Sequence, residues 1–231
     1  MPLHIIVFMS KIELKITSII LDMDGVITHT MPDHYRAWKV TFQKEGIPVT
    51  YEDIYTREGQ PGIHSVKEIF EKYGKTLDER KARQILRDKE RHFKGIVRCR
   101  FIPGAKSFLR TLHRDRFRLA LVTGTSRHEL EKILPAPLLK LFEVTVSGCE
   151  VDYGKPHPEP YLKSLERLKI KPSEAVVIEN APLGIRSAKA AGLKVLAIET
   201  SLPQKYLRGA DAVFPSIREL RSRVVFLKSP Q

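Results

Sequence analysis

Apolar residues along this chain fall into two kinds of run. The first kind is short and nearly continuous: Ile16–Leu21, Phe117–Val122, Val144–Val146, Ala175–Ile178, Lys194–Ile198 and Ala212–Phe214. Such runs predict strands buried on both faces, as parallel sheets have them. The second kind recurs at helical spacing and separates most of the first. Strands alternating with helices predict an α/β fold with a doubly wound, Rossmann-like parallel sheet.

Residues 33–95 break that alternation. Tyr35, Trp38 and Phe42 share one helical face, as do Val66, Ile69, Phe70 and Tyr73, and then Ala82, Ile85, Leu86 and Phe93. Three amphipathic stretches with no strand between them predict an all-helical insert with its own core. The expected borders, at His29–Met31 and Ile96–Pro103, give a core domain of residues 1–30 and 98–231 and a cap of residues 31–97. Ser/Thr with Glu three residues later marks helix starts at Thr76/Glu79, Ser126/Glu129 and Ser216/Glu219. Gly192, after Ala188–Ala191, reads as a helix-ending residue.

The 231 residues, 42% hydrophobic and 29% charged, suffice for a full core and argue against disorder. The apolar runs are too short to cross a membrane. Met1–Ser10 lacks both a basic start and a small-residue cleavage site, so no signal peptide is expected. Met9 offers an alternative start. Cys99 and Cys149 form no metal or redox motif and point to a reducing, cytoplasmic setting. The net charge of +13 raises nucleic acid as a partner, densest from Arg98 to Arg118. The basic residues are nevertheless spread over many helices and mixed with acids, which favours a solvated surface that steers anionic substrates.

Chemistry concentrates at strand ends. Ile19-Ile-Leu-Asp-Met-Asp-Gly25 closes the first strand with two carboxylates. With period two, Asp22 and Asp24 face the same way, their Cα atoms about 6.6 Å apart. Buried carboxylates at a strand's carboxyl end are costly unless a reaction or a cation uses them. Leu119-Ala-Leu-Val-Thr-Gly-Thr125 ends another strand with Thr123 and a free amide at Gly124, suited to a phosphate oxygen. Gly154-Lys-Pro supplies Lys155, an ammonium able to neutralise a phosphoryl group. Val176-Val-Ile-Glu-Asn180 ends a third strand with Glu179 and Asn180, hard oxygen donors that suit Mg²⁺. The histidines show no zinc spacing.

These four segments, in this order, resemble the haloacid dehalogenase superfamily, subfamily I, over about residues 16–215. Asp22-Met-Asp-Gly-Val-Ile-Thr28 and Asp33–Lys39 are most similar to β-phosphoglucomutases and related sugar-phosphate phosphatases. The resemblance implies Asp22 as nucleophile and Asp24 as general acid and base. It also implies Thr123, Gly124 and Lys155 as phosphate ligands, with Mg²⁺ at Asp22, the Asp24 carbonyl and Glu179 or Asn180. A raised pKa is expected for Asp24, which must hold a proton. His34 aligns with a cap-hinge histidine.

Two departures shape the expectation. Asn180 stands where many relatives carry Asp, removing one negative charge from the metal site. Glu58 and Gly62 stand where mutases carry basic residues for a second phosphate, with Arg57 and His64 nearby as substitutes. Hydrolysis of a small phosphorylated metabolite, a sugar phosphate for preference, therefore leads over phosphoglucomutase-type transfer. Asp24 argues against dehalogenase and phosphonatase chemistry. A binding or regulatory protein that has lost catalysis is the alternative of another class.

Overall fold

The computed structural model describes residues 11–228. The segment Met1–Ser10, and with it the expectations about a leader and a second start, lies outside them. Six strands form one parallel sheet: β2 (Ser18–Leu21), β3 (Arg118–Val122), β4 (Val144–Val146), β5 (Ala175–Glu179), β6 (Lys194–Ile198) and β7 (Ala212–Phe214). Their order across the sheet is β4-β3-β2-β5-β6-β7. The α/β, doubly wound, Rossmann-like expectation is met.

Period-two alternation sends neighbouring side chains to two separate cores. Ile19, Leu21, Leu119, Leu121, Val176 and Ile178 pack on one face. Ile20, Ala120, Val122, Ala175 and Val177 pack on the other. The chain leaves β2 toward β3 and β4, then returns to β5, so the direction of winding reverses beside β2. Ligand crevices of open α/β sheets form at the carboxyl ends of strands at such a reversal.

The first apolar run is not one strand. β1 (Ile12–Ile16) ends before Thr17, whose amide bonds the Glu174 carbonyl, and pairs instead with β8 (Val224–Lys228) in a separate two-stranded parallel sheet. β8 is a strand that the apolar pattern did not single out.

The insert holds four helices, α1 (Met31–Gln43), α2 (Tyr51–Tyr55), α3 (Gly62–Lys72) and α4 (Glu79–Ile96). Its own cluster gathers Trp38, Phe42, Val66, Ile69, Phe70, Ala82 and Ile85. The two linkers to the core run side by side, His29 N bonding the Arg100 carbonyl and Ile102 N the Ile27 carbonyl. The Thr76/Glu79 helix start is corrected: Asp78 caps α4, accepting from Lys81 N at 2.6 Å, while Glu79 begins the helix and pairs with Lys67. A carboxylate one residue before the helix outcompetes a hydroxyl three residues before it. Beyond α5 (Ala105–Arg114), Ser126 caps α6 (Arg127–Ile133), which α7 (Ala136–Leu139) follows, and Ser216 caps α10 (Ile217–Arg223), each serine accepting from the third residue on. Gly192, at φ +78°, follows α9 (Pro182–Ala190) as expected.

Asp53 ties the cap together. Its buried carboxylate accepts from Thr50 N (2.8 Å), Thr50 Oγ1 (2.8 Å), Tyr73 Oη (2.9 Å) and the Lys72 ammonium. Although burial opposes its charge, these donors hold its pKa down at about 2. A folded-state pKa below the unfolded value contributes stability above about pH 4 that is lost as pH falls toward 2. The shift corresponds to about 2 kcal/mol. Asp53→Asn should lower the unfolding free energy by about that amount at pH 7, and by progressively less toward pH 2. Denaturant unfolding of both proteins at several pH values checks this.

Candidate active site

All four chemical segments meet at the carboxyl edge of the sheet, under the cap. Asp22 and Asp24 follow β2, Thr123 follows β3, Glu179 ends β5 and Asn180 follows it. Lys155, on the loop before α8 (Glu159–Leu168), is buried and reaches between two carboxylates. Its Nζ donates to Asp22 Oδ1 at 2.6 Å and Glu179 Oε1 at 2.7 Å. Glu179 Oε1 also accepts from Tyr161 Oη at 2.9 Å, and Oε2 from the amides of Asn180 and Ala181. Both Glu179 oxygens are thus committed.

Burial pushes the Asp22 carboxyl up, to about 8, against the opposing pull of the Lys155 ammonium. Lys155 itself is raised well above its ordinary value: burial opposes its charge, and the carboxylates of Asp22 and Glu179 overcome that. Asp22 Oδ2 and Asn180 Oδ1 are buried acceptors with no donor. Two orphaned oxygens at the edge of one site fit a hard divalent cation such as Mg²⁺, which takes oxygen ligands and would satisfy both.

Asp24 differs from expectation. Its Oδ1 accepts from Thr30 Oγ1 and lies 3.6 Å from His34 Nε2, and its Oδ2 accepts from Thr125 Oγ1 at 3.0 Å. Burial raises its pKa, but bonds from His34, Thr30 and Thr125 outweigh it, so the value is lowered. The expected raised pKa is corrected: these donors favour the ionised carboxylate.

The expected cap residues separate. His34 and Arg57 line a cavity of about 150 Å³ above Asp22 and Asp24, with Trp38, Glu58, Leu86 and Lys89. His34 stacks on Phe93 at 4.0 Å, and its Nδ1 meets Lys89 Nζ at 3.1 Å. Burial and the Lys89 charge lower the His34 pKa, which keeps the imidazole neutral at pH 7. Arg57 spends its guanidinium on Glu68 and the Asp53 carbonyl. His64 is exposed on α3 and is not among the lining residues.

Lys89, Tyr161, Thr125 and Ser201 are site residues that the sequence pattern does not mark, and Glu58 is marked there only by the absence of a base. Glu58 reaches the floor of the site, accepting from Asn180 Nδ2 at 3.1 and 3.3 Å. Burial and the carboxylates of Asp22, Glu179 and Asp24 raise its pKa well above the usual range. Thr125, two residues beyond Thr123 and in the same phase, was the one neighbour that strand periodicity could have flagged.

The capped parallel sheet thus gathers the aspartate pair, Thr123, Lys155 and Glu179 at one carboxyl edge. The family model for haloacid dehalogenase-like hydrolases matches residues 16–192, and the chain belongs to that family. A phosphorylated carbohydrates phosphatase of Thermotoga maritima is 34% identical over 188 residues, 77% of this chain and 82% of its own. CbbY from Rhodobacter sphaeroides, solved in complex with phosphate, superposes with a TM-score of 0.74 at 26% identity, over 89% of this chain and 96% of its own. β-Phosphoglucomutase from Clostridium difficile shares the fold, with a TM-score of 0.76 at 23% identity, over 90% and 96% of the two chains. No helix among the described residues is long and apolar enough to cross a membrane.

Gly184, in α9, leaves room for the Glu179 carboxylate, because a Cβ there would lie 1.7 Å from Oε1. Glycine to alanine inside a helix ordinarily stabilises by up to about 1 kcal/mol. Gly184→Ala should do the reverse, lowering the melting temperature and activity together, as calorimetry and an aryl-phosphate assay would show.

Proposed function

We propose that this protein is a Mg²⁺-dependent phosphomonoesterase, working through an aspartyl-phosphate on Asp22 and acting on a small phosphorylated carbohydrate. The observation that carries the reading is the Lys155 ammonium held 2.6 Å from Asp22 Oδ1, beside an Asp22 oxygen with no protein partner. A nucleophile so placed has a fixed cation beside it to take up charge as a phosphoryl group arrives.

In the first half-reaction the Asp22 carboxylate attacks phosphorus, the P–O ester bond breaks, and the leaving oxygen takes a proton from the acid form of Asp24. In the second, ionised Asp24 removes a proton from water, whose oxygen attacks phosphorus and releases inorganic phosphate from Asp22. The lowered pKa of Asp24 suits the second step directly; the first requires it to load a proton beforehand. Thr123 Oγ1, the Gly124 amide and Lys155 would hold the equatorial oxygens. Asp22, Asn180 and the Asp24 carbonyl would hold Mg²⁺, with Glu179 fixing Lys155 rather than binding metal directly. Bound there, the cation would neutralise the phosphate and favour the ionised form of Asp22.

Phosphatase is preferred over mutase because, Lys89 apart and among the described residues, the cap positions facing the cavity offer no free cation to grip a second phosphate. Glu58 brings a carboxyl group rather than a cation, Arg57 is already paired with Glu68, and His64 is exposed and does not line the cavity. The phosphatase relative named above agrees with that preference. The exposed, unpaired Cys99 and Cys149 accord with a reducing cytoplasm.

Asp22→Asn should cut kcat by at least about 10⁴-fold, as loss of a nucleophile does. Excess chelator should abolish phosphate release from sugar phosphates, and Mg²⁺ should restore it. Acid quenching during turnover should trap a hydroxylamine-sensitive phosphoenzyme in the native protein and none in Asp22→Asn. Isomerisation of glucose 1-phosphate faster than phosphate release would instead establish the mutase.

A further inference from the structure

The segment after β6 touches three parts of the molecule at once. Thr200 Oγ1 donates to the carbonyl of Gly25, beside the aspartate pair. Ser201 Oγ accepts from Asn180 Nδ2 at 2.8 Å. Leu202 belongs to the core domain by sequence, yet it is 3% exposed within the hydrophobic cluster of the cap, with Trp38, Phe42 and Tyr55. Tyr51 Oη of α2 donates to the Ser201 carbonyl at 3.4 Å, and Tyr206 Oη donates to Glu52.

The amide of Asn180 can sit in two orientations, and its neighbours choose one. Nδ2 donates to Ser201 Oγ and to the Glu58 carboxylate, leaving Oδ1 buried and without a donor. With Glu58 ionised, a flipped amide would press Oδ1 against its oxygens and turn its N–H groups toward the place a cation would take. Gly25, at φ +90°, makes room for this arrangement, since a Cβ there would lie 2.2 Å from Nδ2 and 2.5 Å from Ser201 Oγ. Ser201 is in turn held by its neighbour Leu202, whose burial depends on the docked cap.

We propose that residues 200–202 form a strap through which docking of the cap fixes the orientation of Asn180, with Leu202 as anchor and Ser201 as the positioning residue. The inference rests on the reading of Asn180 as a metal donor. Cap position and cation affinity are then coupled, and by linkage the coupling is reciprocal. Partners that orient a metal ligand commonly change affinity about tenfold or more when removed.

The test uses the full chain without substrate, measuring Mn²⁺ affinity by electron paramagnetic resonance. Ser201→Ala should weaken binding by about tenfold. Leu202→Ala should weaken it at least about fivefold, although its side chain lies within the cap. The double variant should lose little more than the worse single one, because both act along one path. Leu202→Met, which keeps the anchor's volume, should bind as the native protein does. Mg²⁺ titration should shift the fluorescence of Trp38, the chain's one tryptophan, and the shift should vanish in Leu202→Ala. Should Leu202→Ala fail to fold, Ser201→Ala and the native Trp38 response decide. The strap is overturned if Asn180→Ala weakens Mn²⁺ binding while Ser201→Ala and Leu202→Ala stay within twofold of native. If Asn180→Ala leaves Mn²⁺ binding unchanged, the metal-donor reading fails and takes the strap with it.

Discussion

A buried ammonium between two buried carboxylates organises this active site. Lys155 donates to Asp22 and Glu179 at once, but its single charge can balance only one of them, which accords with the raised pKa of Asp22. Removing one partner of such a cluster strands a charge in a low-dielectric interior, at a cost of about 3–5 kcal/mol. The surrounding polar groups serve this arrangement. Tyr161 and two main-chain amides saturate Glu179, so the lysine's own position is fixed and one oxygen of Asp22 is left over.

The two aspartates are handled in opposite ways by the same burial. Asp22 has a single ammonium beside it and other carboxylates nearby, and its proton is held more tightly than usual. Asp24 is ringed by hydroxyl and imidazole donors and is held in its charged form. The cap takes part in this, because His34, which faces Asp24, is itself stacked on Phe93 and bonded to Lys89.

The cap is also joined to the core by more than its two linkers. Leu202 lends the cap an apolar residue, and Glu58 returns a carboxylate to the floor of the core site. Both exchanges end at Asn180, through Ser201 and directly. The neutral amide matters here. With Glu58 ionised, an aspartate in its place would meet it with like charge, whereas Asn180 donates to it.

Local pattern determined the central sheet. Continuous apolar runs gave β2 to β7, the change of period marked the helical insert, and the aspartate pair, Thr123, Lys155 and Glu179 were legible because each closes or follows a predicted strand. Chemistry carried by the turn itself leaves a mark at fixed spacing. Tertiary structure alone decided the rest. β1 and β8 lie far apart in sequence and pair only in three dimensions. Lys89, Glu58 and Ser201 reached the site from a helix, a cap loop and a distant strand end that no spacing connects. The direction of the Asp24 shift likewise depended on which donors arrived. Burial alone would raise it, and only the folded positions of Thr30, Thr125 and His34 reverse the sign.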